Sequence, residues 1–178
     1  MNFDVFGPYY FPTKTIIKHD HVKAVRNEIA ESEASHVLST APGCYVFGVK
    51  SSGAKRVIPW YVGKAERQPM IKEATNAQHL QLYNEIFDEY KNGHPALYFL
   101  PSTTPKGKPT ALANAGGSKP AIDFLEDWLI ATCLKTNADL WNVKKTRMLR
   151  DLYVRGIFNP SAGDLNTAAA SLKKCIGA

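Results

Sequence analysis

The sequence is poor in cysteine: Cys44, Cys133 and Cys175 are the only three in 178 residues, and none stands at the short spacing of a zinc module from another. An odd, scattered set argues against a disulfide scaffold or structural zinc and predicts reduced thiols in a cytoplasmic setting. Long apolar runs are missing too. No stretch of about 18 apolar residues occurs, so no membrane-spanning helix is expected. The opening MNFDVFGPYYFPTK lacks the basic start and apolar run of a secretory signal. Acidic residues are the minority, 16 Asp and Glu against 22 Lys and Arg for a net charge of +6, which favours a polyanion as partner. No internal repeat is present, which excludes solenoids and propellers.

What is present suffices for one globular domain with a real core, since 44% of residues are hydrophobic and 11% aromatic. Residues 43–65 read as two strands. Cys44, Val46 and Gly48 alternate with Tyr45, Phe47 and Val49, and 57–62 is apolar, β-branched or aromatic apart from Pro59. Ser51-Ser52-Gly53 between them is hairpin chemistry. A third strand is expected over 96–100, ALYFL, bounded by Pro95 and Pro101. Upstream, residues 1–19 form an aromatic, proline-broken lead-in. Asp20 is placed to cap a helix through Leu38 whose apolar face holds Val22, Val25 and Ile29. These elements predict an α+β fold: a small three-stranded antiparallel sheet flanked by helices, with N- and C-terminal helical extensions. The divisions are an N-terminal extension over 1–42 packing on the core, a central domain over 43–145 and a C-terminal helical extension over 146–178.

Two helices bring polar groups toward that sheet. The amphipathic stretch ending at Asn92-Gly93 puts Tyr83, Ile86 and Phe87 on one face, and continued backwards its stripe takes in Leu80, His79, Asn76 and Lys72. Two readings of this polar end stay open. Free amides and the helix dipole favour a phosphate there; alternatively Thr75 or Asn76 caps a shorter helix and His79 is hydrogen-bonded at the core edge. The second helix is AIDFLEDWLIATCL, 121–134. Its expected buried face is Ala121, Ile122, Leu125, Trp128, Leu129 and Thr132, with Asp123 and Asp127 opposite and Glu126 at the margin, within reach of a partly buried site. The loop over 101–120 carries Lys106, Lys108 and Lys119, either a mobile basic loop beside a nucleic-acid backbone or a solvated insertion. Lys144, Lys145, Arg147, Arg150 and Arg155 extend the basic character downstream.

Gly43-Cys44-Tyr45 followed by Tyr61-Val62-Gly63-Lys64 resembles the paired signature of the GIY-YIG endonucleases, single-metal nucleases of DNA excision repair, homing elements and restriction. Cys44 stands where the family has an aliphatic residue, and the longer interval between the tyrosines is absorbed by a longer hairpin turn. Glu126, in Glu-x-x-Leu-Ile, is similar to the helical glutamate that holds the family's divalent cation, and Asn142, in Trp-Asn-Val, to its downstream asparagine. The family's arginine has no direct counterpart: Ile71 and Lys72 occupy its region, and Arg67 is the nearby arginine. The resemblance spans about residues 43 to 145.

It implies metal-dependent hydrolysis of phosphodiester bonds in nucleic acid, DNA first, with Mg²⁺ or Mn²⁺ on Glu126. Under it Tyr45 or Tyr61 is the general base, the choice being open, with a pKa brought down from ~10 by the charge of Lys64 and the metal. Lys72 or Arg67 offsets phosphate charge, His79 or Tyr83 orients it, and Asn142 lies near the site. Two other classes remain: a catalytically silent nucleic-acid-binding module of the same fold, and a protein-interaction scaffold.

Overall fold

The computed structural model describes residues 1–90, 93–142, 146 and 166–176. They fall into two compact units, Met1–Trp141 and Asn142–Ala178. The first holds strands β1 (Asn2–Phe3), β2 (Phe6–Tyr10), β3 (Gly43–Lys50), β4 (Ile58–Ala65) and β5 (His94–Thr103). Its helices are α1 (His19–Glu31), α2 (Ser35–Thr40), α3 (Met70–Ala74), α4 (Ala77–Tyr90) and α5 (Pro120–Leu134). Of the second unit, α6 (Thr167–Ile176) is the described element, whereas Lys144, Lys145, Arg147, Arg150 and Arg155 lie outside the described residues. No helix among the described residues is long and apolar enough to cross a membrane.

The fold is α+β, with an open antiparallel sheet of five strands rather than the expected three. The predicted core β4-β3-β5 is there, and the N-terminal lead-in adds to it. β2 pairs Phe6 with Phe99, Tyr9 with Leu97 and Tyr10 with Ala96, and β1 pairs Asn2 with Thr103. β5 is ten residues long, and β3 covers only one of its edges. The aromatic FGPYY segment therefore finds a free edge of backbone donors and acceptors suited to its β-forming side chains. Pro95 and Pro101 lie inside β5 rather than bounding it; the Pro95 carbonyl still accepts the Phe11 amide at 2.9 Å.

β3 is the centre of the sheet, paired with β4 on one side and β5 on the other. Its two side-chain faces meet different layers. Tyr45, Phe47 and Val49 join the main core with Leu97 and Phe99 of β5, and with Val25, Ile29, Leu38, Met70, Tyr83 and Ile86 from α1 to α4. On the other face Cys44 Sγ lies 3.5 Å from the Ile122 carbonyl of α5.

Three local expectations are corrected. The first helix starts at His19 and stops at Glu31, with Asp20 inside its first turn. The His21 ring accepts the Lys18 amide at 3.1 Å, while the Ser32 hydroxyl and amide both bind the Ile29 carbonyl and end the helix, so Leu38 belongs to α2. α5 buries Ile122, Glu126, Leu129 and Ile130, whereas Phe124 and Trp128 are 71% and 54% exposed, and Ala121 is exposed and Thr132 open to solvent. The helix is apolar nearly all round, so periodicity did not select a face. Asp123 is half-exposed and accepts Lys64 from the end of β4, while Glu126 is turned inward with Ile122, Leu129 and Ile130. Finally, the loop after β5 is tied down. The Ala113 amide bonds to the Glu66 carbonyl at 2.7 Å, the Thr110 amide to the Ser102 carbonyl at 3.0 Å, and the Lys119 amide to the Glu66 carboxylate.

Candidate active site

Tyr45 faces Gly63 across β3 and β4. A Cβ at Gly63 would lie 2.3 Å from the Tyr45 ring, so only glycine leaves room for that ring to cross β4. Tyr45 is thereby enclosed, while Tyr61, paired with Phe47, is half-buried with its ring centroid 6.3 Å from that of Tyr45.

α4 carries the third member. Asn76 stands just before it and caps it, its side-chain oxygen accepting the His79 amide at 2.8 Å. The same oxygen is 3.0 Å from His79 Nδ1. The other ring nitrogen, Nε2, is 2.8 Å from the Tyr45 hydroxyl and 3.5 Å from that of Tyr61. One turn further on, Tyr83 stacks on Phe47 at 4.1 Å and 7°, with its hydroxyl buried and without a hydrogen-bond partner among the described residues. It lies beneath the cluster, closed to a ligand in this structure. Of the two readings of the polar helix end, the cap at Asn76 is the one found, and Lys72 belongs to the separate α3.

Burial governs the titration of this cluster. It raises Tyr45 well above the usual tyrosine value, aided by the charges of Tyr83, Tyr61, Glu73 and Glu126. Tyr61 is raised by burial and by Glu126, against which a hydrogen bond from Tyr45 works to favour the phenolate. Burial lowers His79, and Glu73 opposes that shift only in part. A neutral imidazole and protonated phenols follow at pH 7.

Lys64 does not depress the tyrosines as expected. Desolvation would lower its own pKa, but hydrogen bonds and charge from Asp123 and Glu66 outweigh that and raise it. Its ammonium is 2.9 Å from Glu66 and also paired with Asp123, so its charge is largely matched. Lys72 is exposed and lines a cleft of about 440 Å³ with Arg26, Ser35 and Ser39 of α1 and α2. Its neighbour Glu73 instead lines a cleft of about 450 Å³ with Lys64, Glu66, Arg67 and Gln68, and its charge is felt by all three tyrosines and His79. Arg67 is exposed at that cleft, 3.5 Å from the Gly117 carbonyl.

The first unit thus brings Tyr45, Tyr61 and His79 together, with Lys64 and Arg67 lining a cleft that shares Glu73. Glu126 is buried, and its charge acts on both Tyr45 and Tyr61. Asn142 opens the second unit, where its carbonyl accepts the amide (3.1 Å) and hydroxyl (2.6 Å) of Thr146. Glu73 does not stand out in the sequence, because nothing in its own neighbourhood distinguishes it from a surface acid. Asn76 had a legible signal, the cap-to-third-residue spacing to His79.

Among the described residues no group of three or more His, Cys, Asp and Glu side chains stands together to hold a metal. A hard divalent cation such as Mg²⁺ is held by one or two carboxylates, with water and substrate phosphate oxygens at the other positions. Buried Glu126, a hard oxygen donor whose charge acts on both tyrosines, fits that requirement. Comparisons of the chain with protein-family models, curated proteins and solved structures return no match.

Proposed function

We propose that the first unit is a metal-dependent endonuclease of the GIY-YIG kind, hydrolysing phosphodiester bonds in nucleic acid, DNA first, in the cytoplasm. The observation that carries this reading is the convergence of two tyrosine hydroxyls, at 2.8 and 3.5 Å, on one imidazole nitrogen, with a buried glutamate whose charge acts on both. Phosphodiester hydrolysis needs a base for the attacking water and positive charge against the phosphorane and leaving oxygen. Tyr61 is the better base. It lines an open groove of about 380 Å³ with Gln78, His79, Gln81 and Glu85, and it is less strongly raised than enclosed Tyr45. Tyr45 passes its proton to His79 Nε2 and takes that of Tyr61, the Tyr61 phenolate then takes a proton from water, and the water oxygen bonds to phosphorus as the bond to the leaving ester oxygen breaks. With its own proton on Nε2, Tyr45 holds the proton taken from Tyr61 and donates it in a hydrogen bond that supports the Tyr61 phenolate. Glu126 would hold Mg²⁺ or Mn²⁺, whose charge, when bound, offsets that of the phosphorane and favours tyrosine ionisation. Arg67, exposed at the neighbouring cleft, is the cation placed to meet a phosphate.

A second reading draws on the matched charge of Lys64 and the carboxylate of Glu73, which leave the tyrosines short of cations. It is a silent nucleic-acid-binding module. Incubating supercoiled plasmid, single-stranded DNA and RNA with Mg²⁺, Mn²⁺ or EDTA separates the two. Metal-dependent cleavage that falls at least ~100-fold in Glu126→Gln is expected, in line with loss of an electrostatic partner at a reaction centre. Binding that weakens steeply with salt but never cuts would favour the silent module, and neither binding nor cutting a protein-interaction scaffold.

A further inference from the structure

We infer that Asn76 is a positioning residue that fixes the tautomer of His79, keeping the proton on Nδ1 and the lone pair on Nε2. Two donors reach the Asn76 side chain through one atom. The His79 backbone N–H bonds to it at 2.8 Å, which can only be a bond to an acceptor and so identifies that atom as the amide oxygen. The same oxygen is 3.0 Å from Nδ1. An amide oxygen cannot donate, so Nδ1 must carry the hydrogen. In the neutral ring Nε2 is then the acceptor, and the Tyr45 hydroxyl donates to it at 2.8 Å.

The groups around the ring agree with this assignment. Tyr45 and Tyr61 face Nε2 from β3 and β4, Tyr83 flanks the ring from α4, and Glu73 faces Nδ1 from α3 at 3.8 Å. The carboxylate is thus farther from Nδ1 than the amide oxygen. A neutral partner on Nδ1 holds the proton in place without making the ring cationic, and that leaves an empty site for a tyrosine proton on Nε2. The opposite tautomer would set two lone pairs against each other at Asn76 and leave both phenols without a nitrogen acceptor. Asn76 therefore serves twice, as helix cap and as tautomer lock.

The tautomer follows from geometry alone, while its consequence for turnover rests on the endonuclease reading. Long-range proton–nitrogen correlation of the His79 ring in the full chain at pH 7.5 reads the tautomer directly. Two variants separate the roles of Asn76. Asn76→Ser keeps a good cap but is too short to hold Nδ1 as well, and Asn76→Asp keeps both contacts. Wild type and Asn76→Asp are expected to show Nδ1 protonated, while Asn76→Ser, folded and with α4 intact, shows the Nε2–H form populated. In plasmid cleavage Asn76→Ser should lose roughly 10–100-fold in kcat with little change in KM, the range seen when the outer partner of a functional imidazole is removed. Nε2 protonated in the wild type, or an unchanged tautomer in Asn76→Ser, would overturn the inference. Should the wild type cut nothing while the ring signals behave as described, the tautomer lock stands and the endonuclease reading alone fails.

Discussion

Replacing Gly63 by alanine probes the contact on which the cluster is built. The added methyl carbon would lie 2.3 Å from Cζ, 2.4 Å from the hydroxyl and 2.6 Å from Cε2 of Tyr45. Carbon atoms pack at about 3.5 Å or more, so the ring must retreat by roughly 1 Å. Tyr45 is 0% exposed, which leaves it no open space to retreat into. Overpacking of this sort costs about 1–3 kcal/mol. The same displacement stretches the 2.8 Å hydrogen bond to His79 beyond useful length, adding about 1 kcal/mol or more. A total of about 3 kcal/mol is expected, read in urea as a midpoint lowered by about 1–2 M with unchanged slope. The control is a double-mutant cycle. In a Tyr45→Ala background, where the ring is gone, Gly63→Ala should cost less than about 0.5 kcal/mol, because alanine is otherwise no worse than glycine in a strand. A Gly63→Ala protein within about 0.5 kcal/mol of wild type, or an equal loss in both backgrounds, would refute the packing argument.

Tyr83 and the tyrosine cluster yield two more predictions. The Tyr83 hydroxyl is buried with no hydrogen-bond partner among the described residues, so Tyr83→Phe should raise stability by about 1 kcal/mol, checked by urea unfolding; a loss of similar size would show that the hydroxyl is bonded. Tyr45, Tyr61 and Tyr83 all ionise at higher pH when folded than the ordinary 10.0, chiefly because burial penalises the phenolate. Between 10.0 and the folded values the unfolded chain has released protons that the folded chain retains, so stability is full below about pH 10 and falls as pH rises beyond it. The contribution of these phenols to the urea midpoint should be lost as pH rises above about 10, and a midpoint no lower at about pH 11 than at about pH 9 would contradict their burial.

Strand identity was legible where local chemistry is self-sufficient. Alternation in GCYVFGVK, the glycine turn at Gly53 with its positive φ of 80°, and the apolar run before Gly63 each specify backbone geometry without help from distant residues. The face of α5 was not legible. Phe124, Leu125, Trp128 and Leu129 offer apolar surface in several directions, and the face that is buried, with Ile122, Leu129 and Ile130, is set by packing on strands distant in sequence, where Asp123 meets Lys64, 59 residues away. The charge environment was hidden for the same reason. Lys64, on β4, read as a free cation because Asp123, one of the two carboxylates that match it, comes from α5, although the other, Glu66, is only two residues on.

The sequence by itself determined the α+β class, the central hairpin and the tyrosine pair, since strand periodicity and turn residues act over a few positions. Only the tertiary structure decided what those tyrosines meet. His79 lies 34 positions from Tyr45 and 18 from Tyr61, yet one ring nitrogen reaches both hydroxyls. The five-stranded sheet, the inward turn of Glu126 and the arrival of Glu73 likewise depend on segments distant in the chain, and they arise from packing rather than from any local preference.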